Sequence, residues 1–253
     1  MESFEPRSTD SRGQLVAELR QRLRQLDQAR RPAGEVSNST GCEPLDRLLP
    51  AGGLSRGGLV EWLAAGAGSG AGWLALVAAR EACREHGPLL VIDGRGTFYP
   101  PAAVLAGIEL ERVLVVRVEQ AADEAWALDQ ALRSTSVGAV FCQSQRLHPR
   151  VVRRLQLAAE SSGGLGLLVR PEAVRQEPCW AEARLLVRSL PTSAMKLVSP
   201  CLTEKGRRLR VELLRARGTA GGRSVDLEID DETGVVRLAT ELATAAAERR
   251  SRA

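Results

Sequence analysis

The stretch LVEWLAAGAGSGAGWLALVAA, residues 59–79, decides the fold. An apolar, β-forming run enters a bend crowded with Gly66, Gly68, Gly70 and Gly72, then leaves as an apolar helical pattern beginning at about Ala71. The longest uncharged run of the chain, 62–79, falls within it and has the length of a bilayer's hydrocarbon core. Its central glycines argue for a bend rather than an unbroken helix, so no membrane association is expected.

Strand, glycine-rich turn and helix in that order are the setting of a P-loop. The consensus GxxxxGK[ST] works through backbone N–H groups that wrap the phosphates, a lysine that reaches the β and γ oxygens, and a hydroxyl that ligates magnesium. Here the register runs Ala65, Gly66, Ala67, Gly68, Ser69, Gly70, Ala71, Gly72. Ala65 stands for the leading glycine, Ala71 for the lysine and Gly72 for the hydroxyl residue. One charge-assisted contact, worth roughly 1.5–3 kcal/mol, is lost together with the protein's ligand for the metal. The bare amides of Gly66, Gly68, Ser69 and Gly70 at a helix N-terminus keep only a modest attraction for anions, about 0.3–1 kcal/mol. Lys196 and Lys205 are the only lysines of the chain, so no neighbour substitutes, and no cofactor is expected.

Outward from this stretch, β-rich runs alternate with helical patterns: strand 89–92 and helix 101–106, strand 113–116 and helix 123–134, strand 139–142 and helix 149–161, then strand 165–169. Helical crossovers between strands predict an α/β domain with a mostly parallel central sheet. The last runs, 183–189, 208–215, 225–229 and 235–238, have no long helices between them and predict an antiparallel extension of the same sheet. Before the core, Leu15, Val16, Leu19, Leu23 and Leu26 recur at helical spacing with Arg20, Arg22 and Arg24 between them, a basic amphipathic helix over 11–31 that Pro32 stops. The expected organisation is therefore an N-terminal helix and linker, 1–36, a core, 37–190, and a C-terminal β extension with an Ala/Arg-rich tail, 191–253.

Composition agrees with a globular chain of this kind. The 253 residues are 44% apolar, which excludes a collagenous, disulfide-scaffold or wholly disordered protein, and only 3% aromatic, which argues against extensive base stacking. A net charge of +4 permits a nucleic-acid partner without demanding one. Five cysteines, never spaced CxxC, and no signal peptide point to reduced thiols, a cytoplasmic protein and no structural zinc.

The lead-in to residues 59–79 carries a family resemblance. Thr40-Gly41-Cys42-Glu43-Pro44-Leu45-Asp46, then Gly52-Gly53-Leu54, Arg56-Gly57 and Val60-Glu61, resembles the segment in which RecA recombinases pass through a TGxxxLD turn and a GGL turn into the first core strand. The likeness continues through Val91-Ile92-Asp93, Tyr99-Pro100 and Leu105-Ala106-Gly107, covering about residues 37–190. Within the RecA superfamily the chain most resembles the ImuA-like (SulA-like) branch, through its arginine-rich N-terminal helix, Phe98-Tyr99-Pro100-Pro101, and the segment from Arg215-Ala216-Arg217-Gly218 to Gly222-Arg223-Ser224. That resemblance implies a RecA-like P-loop fold and a non-catalytic role in the DNA-damage (SOS) response. The implied setting is error-prone translesion synthesis, beside an ImuB-type Y-family polymerase relative and a C-family error-prone polymerase. Contact with RecA, or self-association through 11–31, is implied with it. Two other readings stay open: a nucleotide-dependent DNA-binding protein with atypical site residues, and an SOS-induced inhibitor of cell division.

The departures from RecA are systematic. Counting from Asp93, the catalytic glutamate's place holds Arg95, which cannot polarise a water; the metal-binding aspartate that should end strand 139–142 is replaced by Gln143. The γ-phosphate-sensing glutamine falls near Arg170 or Pro171. Without lysine, hydroxyl, carboxylate base and metal carboxylate, no part of the phosphoryl-transfer machinery remains, and the expectation is a pseudo-ATPase. The loops that carry DNA in RecA shrink here to 144–149 and 171–180, leaving Arg146, Arg150, Arg153 and Arg154 as candidate nucleic-acid contacts or as a solvated helix face.

Two further features invite a structural answer. Asp226, Glu228, Asp230, Asp231 and Glu232 form an acidic cluster, readable as a cation site or as a solvated hairpin. Trp73 stands three residues past Gly70, and its indole is expected to fill the cavity an adenine would need.

Overall fold

The computed structural model describes residues 37–145, 147–191, 206–230 and 233–239. The helix expected over 11–31, the C-terminal tail, Arg146, both lysines and the acidic pair Asp231 and Glu232 lie outside the described residues.

In chain order the strands are β1 Ser37–Asn38, β2 Leu54–Ser55, β3 Leu59–Ala64, β4 Leu89–Asp93, β5 Val113–Arg117, β6 Ala139–Gln143, β7 Leu165–Pro171, β8 Ala183–Leu190, β9 Gly206–Ala216, β10 Thr219–Asp230 and β11 Val236–Leu238. The helices are α1 Glu43–Asp46, α2 Ala71–Glu85, α3 Pro100–Leu105, α4 Ala121–Arg133 and α5 Pro149–Ser162, with 3-10 turns at Leu110–Arg112 and Glu172–Gln176. Prolines start α3 and α5, where a missing N–H costs nothing, and Gly163, in the left-handed region, ends α5.

The described strands form a small β1–β2 pair and one nine-stranded sheet ordered β11-β10-β9-β8-β3-β7-β6-β4-β5. From β8 to β5 every pairing is parallel, whereas β9, β10 and β11 add on antiparallel. This is the mostly parallel α/β architecture expected from the sequence, consistent with a RecA-like core. Helix α2 packs on one face, in a cluster with Val60, Trp62, Val91 and Phe141; α4 and α5 pack on the other with Leu59, Ile92, Val140 and Leu168. Strand β3 lies in the middle and is buried on both sides, which is why its sequence runs apolar without alternation.

Strands β9 and β10 are longer than their patterns suggest, because cross-strand pairing carries polar residues into the ladder. Asp226 pairs with Arg210 and Glu228 with Arg208 across β9 and β10. The described part of the acidic cluster is thus a charge ladder: both Asp226 oxygens accept from Arg210, at 2.7 and 2.8 Å. That hydrogen bonding holds the Asp226 carboxyl below its ordinary range. No group of three or more histidine, cysteine or acidic residues placed to hold a metal occurs among the described residues. None of the described helices is long and apolar enough to cross a membrane.

Candidate functional site

The loop between β3 and α2 turns on glycines. Gly68 and Gly70 have φ of 71° and 85°, in the left-handed region that glycine enters without strain. At Gly70 space adds a second requirement, since a Cβ there would lie 2.3 Å from Leu209 Cδ1. Gly70 is the N-cap of α2 and offers no side-chain cap, so the first amides of the helix face the loop.

The side chains tell the opposite story. Ala71, in the lysine's place, is buried in the core beneath the loop. Gly72, in the hydroxyl's place, meets Gln143: a Cβ on Gly72 would stand 3.0 Å from Gln143 Nε2. The two positions that would jointly ligate magnesium are therefore neighbours, one without a side chain and the other with a neutral amide beside it. A hard cation needs oxygen donors with negative charge nearby, and this pair supplies one neutral amide oxygen and no charge, so the residues fit a magnesium-bound nucleotide poorly.

A cavity of about 600 Å³ opens over the loop, walled by residues 66–73 together with Arg95, Gln143, Ser144, Gln145, Arg170 and Arg207. Its described lining has three arginines and no carboxylate. Arg95, in the base's place, is exposed on this wall. The neighbouring Asp93 accepts hydrogen bonds from the Thr97 and Phe98 amides, at 3.0 and 3.2 Å, and so spends its charge on the turn after β4. Ser69 is buried and its oxygen accepts only weakly from the Ala71 amide, at 3.5 Å.

Arg170 has a role that a merely missing glutamine did not suggest. It is 2% exposed, and donates to Glu61 Oε1 at 2.7 Å, the Leu147 carbonyl at 2.9 Å and Glu177 Oε2 at 3.0 Å. Glu61, fully buried on β3, also accepts from Arg184 Nε at 2.7 Å, and Arg184 reaches back to the Glu177 carbonyl at 2.8 Å. Both short loops beside the cleft are thus tied to one buried ion cluster. Cys179 donates to Glu61 at 3.3 Å, and burial, reinforced by that carboxylate, pushes its thiol up to about 11. The signal was present in the sequence as Glu61, Arg170 and Arg184 inside otherwise apolar strands, where an unpaired charge would be prohibitive.

Trp73 overturns the expectation that its ring plugs the site. Its indole lies against Gly234, whose added Cβ would be 2.7 Å from the ring. Beside it a second, apolar cavity of about 750 Å³ stays open between Leu76, Phe98, Tyr99, Leu105 and Phe141. The ring lines both spaces and lies beside Gly234.

The candidate nucleic-acid arginines stand elsewhere. Arg150, Arg153 and Arg154 lie on α5 and none of them lines the cleft. Arg154 pairs with Asp129 at 3.3 Å, and Arg153 stacks over the half-exposed Trp180 ring at 4.7 Å.

No protein-family model matches the chain. It is similar to Protein ImuA of Caulobacter vibrioides, with 28% identity over 198 residues that cover 73% of this chain and 80% of that protein. The ImuA of a second strain of that organism gives the same values. The ImuA-like resemblance carried by the motifs is borne out by this match.

Proposed function

We propose that the chain is a RecA-like accessory protein of an ImuA/ImuB-type mutagenesis system, and that it works as a non-hydrolysing scaffold for protein partners during error-prone translesion synthesis. The likeness to ImuA supports the system. The observation that carries the scaffold role is a cleft whose described lining sets the neutral Gln143 amide beside Gly72 and has no carboxylate. Phosphoryl transfer needs charge compensation and a group that positions the attacking water, and a neutral amide beside a bare glycine provides neither. On this reading the partners are an ImuB-type Y-family relative and a C-family polymerase, with the N-terminal segment 11–31 as a further contact, to RecA or to a second copy.

Mixing the purified full chain with the ImuB-type protein and the C-family polymerase tests this. The three should co-migrate in size-exclusion chromatography equally well with and without magnesium and ATP. An assembly that forms only with ATP would favour the nucleotide-dependent alternative, and no assembly under either condition would remove the scaffold reading.

A further inference from the structure

Two cavities meet at the head of α2. Gly72, Trp73, Gln143 and Arg207 line both the cleft of about 600 Å³ over the loop and the apolar cavity of about 750 Å³, so the two form one bipartite site.

The cleft side holds hydrogen-bond donors that lack acceptors. The amides of Gly70, Gly72 and Trp73 donate to no backbone carbonyl among the described residues. Arg170, 2% exposed on the cleft wall, keeps a buried Nε with no hydrogen-bond partner, and the indole N–H of Trp73 is left the same way. Buried donors left over like this call for an acceptor, because each has given up its hydration without replacement. Arg95, exposed on the same wall, has no ion-pair partner among the described residues. The acceptor that fits is an anion of low charge. One carboxylate matches one unpaired guanidinium and a few amides, whereas a triphosphate brings several charges and needs a cation that this described lining has no carboxylate to hold.

The apolar side says what the carboxylate is attached to. Leu76, Phe98, Phe141 and the Trp73 ring line a space large enough for an aromatic or leucine side chain. That lining does not close around such a group but runs outward through Tyr99, Val104, Leu105 and Leu110, all exposed. An apolar path from an interior pocket to open surface suits a polypeptide that continues past its anchoring side chain, not a small enclosed molecule.

We propose that this bipartite site captures the C-terminus of a partner protein, with the terminal carboxylate in the amide cradle beside Arg95 and a bulky apolar side chain from the end of that partner in the cavity beside Trp73. The proposal rests on the scaffold reading above and names where one partner attaches. The chain's own basic run 249–252 does not fit, in this copy or a second, since Arg249, Arg250 and Arg252 would bring positive charge to an arginine-walled cleft.

A fluorescein-labelled nonapeptide of glycine and serine ending in leucine and phenylalanine, with a free carboxylate, tests the site when titrated into the full chain by anisotropy. The free acid should bind, and both its C-terminal amide and a version ending in two serines should bind at least tenfold more weakly. Arg95→Glu should weaken the free acid tenfold or more and leave the weak binding of the amide unchanged. Ala102→Trp, which fills the apolar cavity, should weaken both forms. If that variant fails to fold, Val104→Glu on the exposed rim should still weaken the free acid several-fold. Equal binding of acid and amide, or binding unaffected by these variants, would overturn the proposal. So would displacement of the peptide by magnesium and ATP below the millimolar range, which would give the cleft to a nucleotide. Competition by 3-phenylpropionate as strong as that of the unlabelled peptide would also overturn it, because the occupant would then be a free acid and the rim would add nothing. Peptide binding at this site without assembly of the polymerase partners would instead overturn the scaffold reading alone.

Discussion

Strand β3 serves two neighbouring regions of opposite character. At Glu61 the chain holds three charged side chains out of water and satisfies them against each other; one step beyond the strand's end, residues 65–72 keep the turns of a phosphate cradle with none of its charges. The difference follows from burial. A charge in the interior must stay paired or the fold loses several kcal/mol, whereas a charge at the wall of an open cleft can vanish at almost no cost to folding. The cradle's backbone persists for a related reason: Gly70 is held by its own φ and by the approach of Leu209, so the loop is part of the packing even without a ligand.

Breaking the buried cluster should have the largest effect. Glu61→Gln leaves Arg170 and Arg184 without their shared carboxylate and should cost about 3–5 kcal/mol in urea unfolding. Replacing all three together, Glu61→Leu with Arg170→Met and Arg184→Met, should recover most of that loss, which separates broken pairing from lost charge. On the other side of the comparison, Gly70→Ala should cost about 1–3 kcal/mol through strain and overpacking against Leu209, although no charged or catalytic group is touched.

The buried thiols sharpen the contrast with pH. Burial pushes Cys83 and Cys179 up to about 11, above their ordinary value of 9.0, so the unfolded chain ionises first. Their contribution to stability should be complete below about pH 9 and fall between pH 9 and 11. Urea midpoints across that range, beside those of a Cys83→Ala, Cys179→Ala variant whose midpoint falls less steeply, read the effect. Smaller still, Asp226→Asn on the exposed ladder should change stability by less than about 1 kcal/mol. In the cleft, Ala71→Lys with Gly72→Thr should yield no ATP turnover at all, because Arg95 and Gln143 still occupy the base and metal positions.

The sheet was legible because its signals are periodic and local: apolar strands separated by helical patterns, with glycines marking the turn into α2. The absence of a lysine and a hydroxyl side chain at Ala71 and Gly72 was legible too, since residue identity alone reveals it. What the sequence withheld was contact across distance. That Gln143 lies beside Gly72, that Trp73 lies against Gly234 at the wall of the cleft, and that Arg170 braces both short loops beside Glu61 all depend on residues far apart in the chain.

The central claim is that this cradle neither grips nor splits a nucleoside triphosphate, and equilibrium titration of the full chain with labelled ATP and magnesium, paired with a phosphate-release assay, tests it most directly. The account predicts no binding below the millimolar range and no release above background. Turnover that disappears on Arg95→Ala or Gln143→Ala would contradict it.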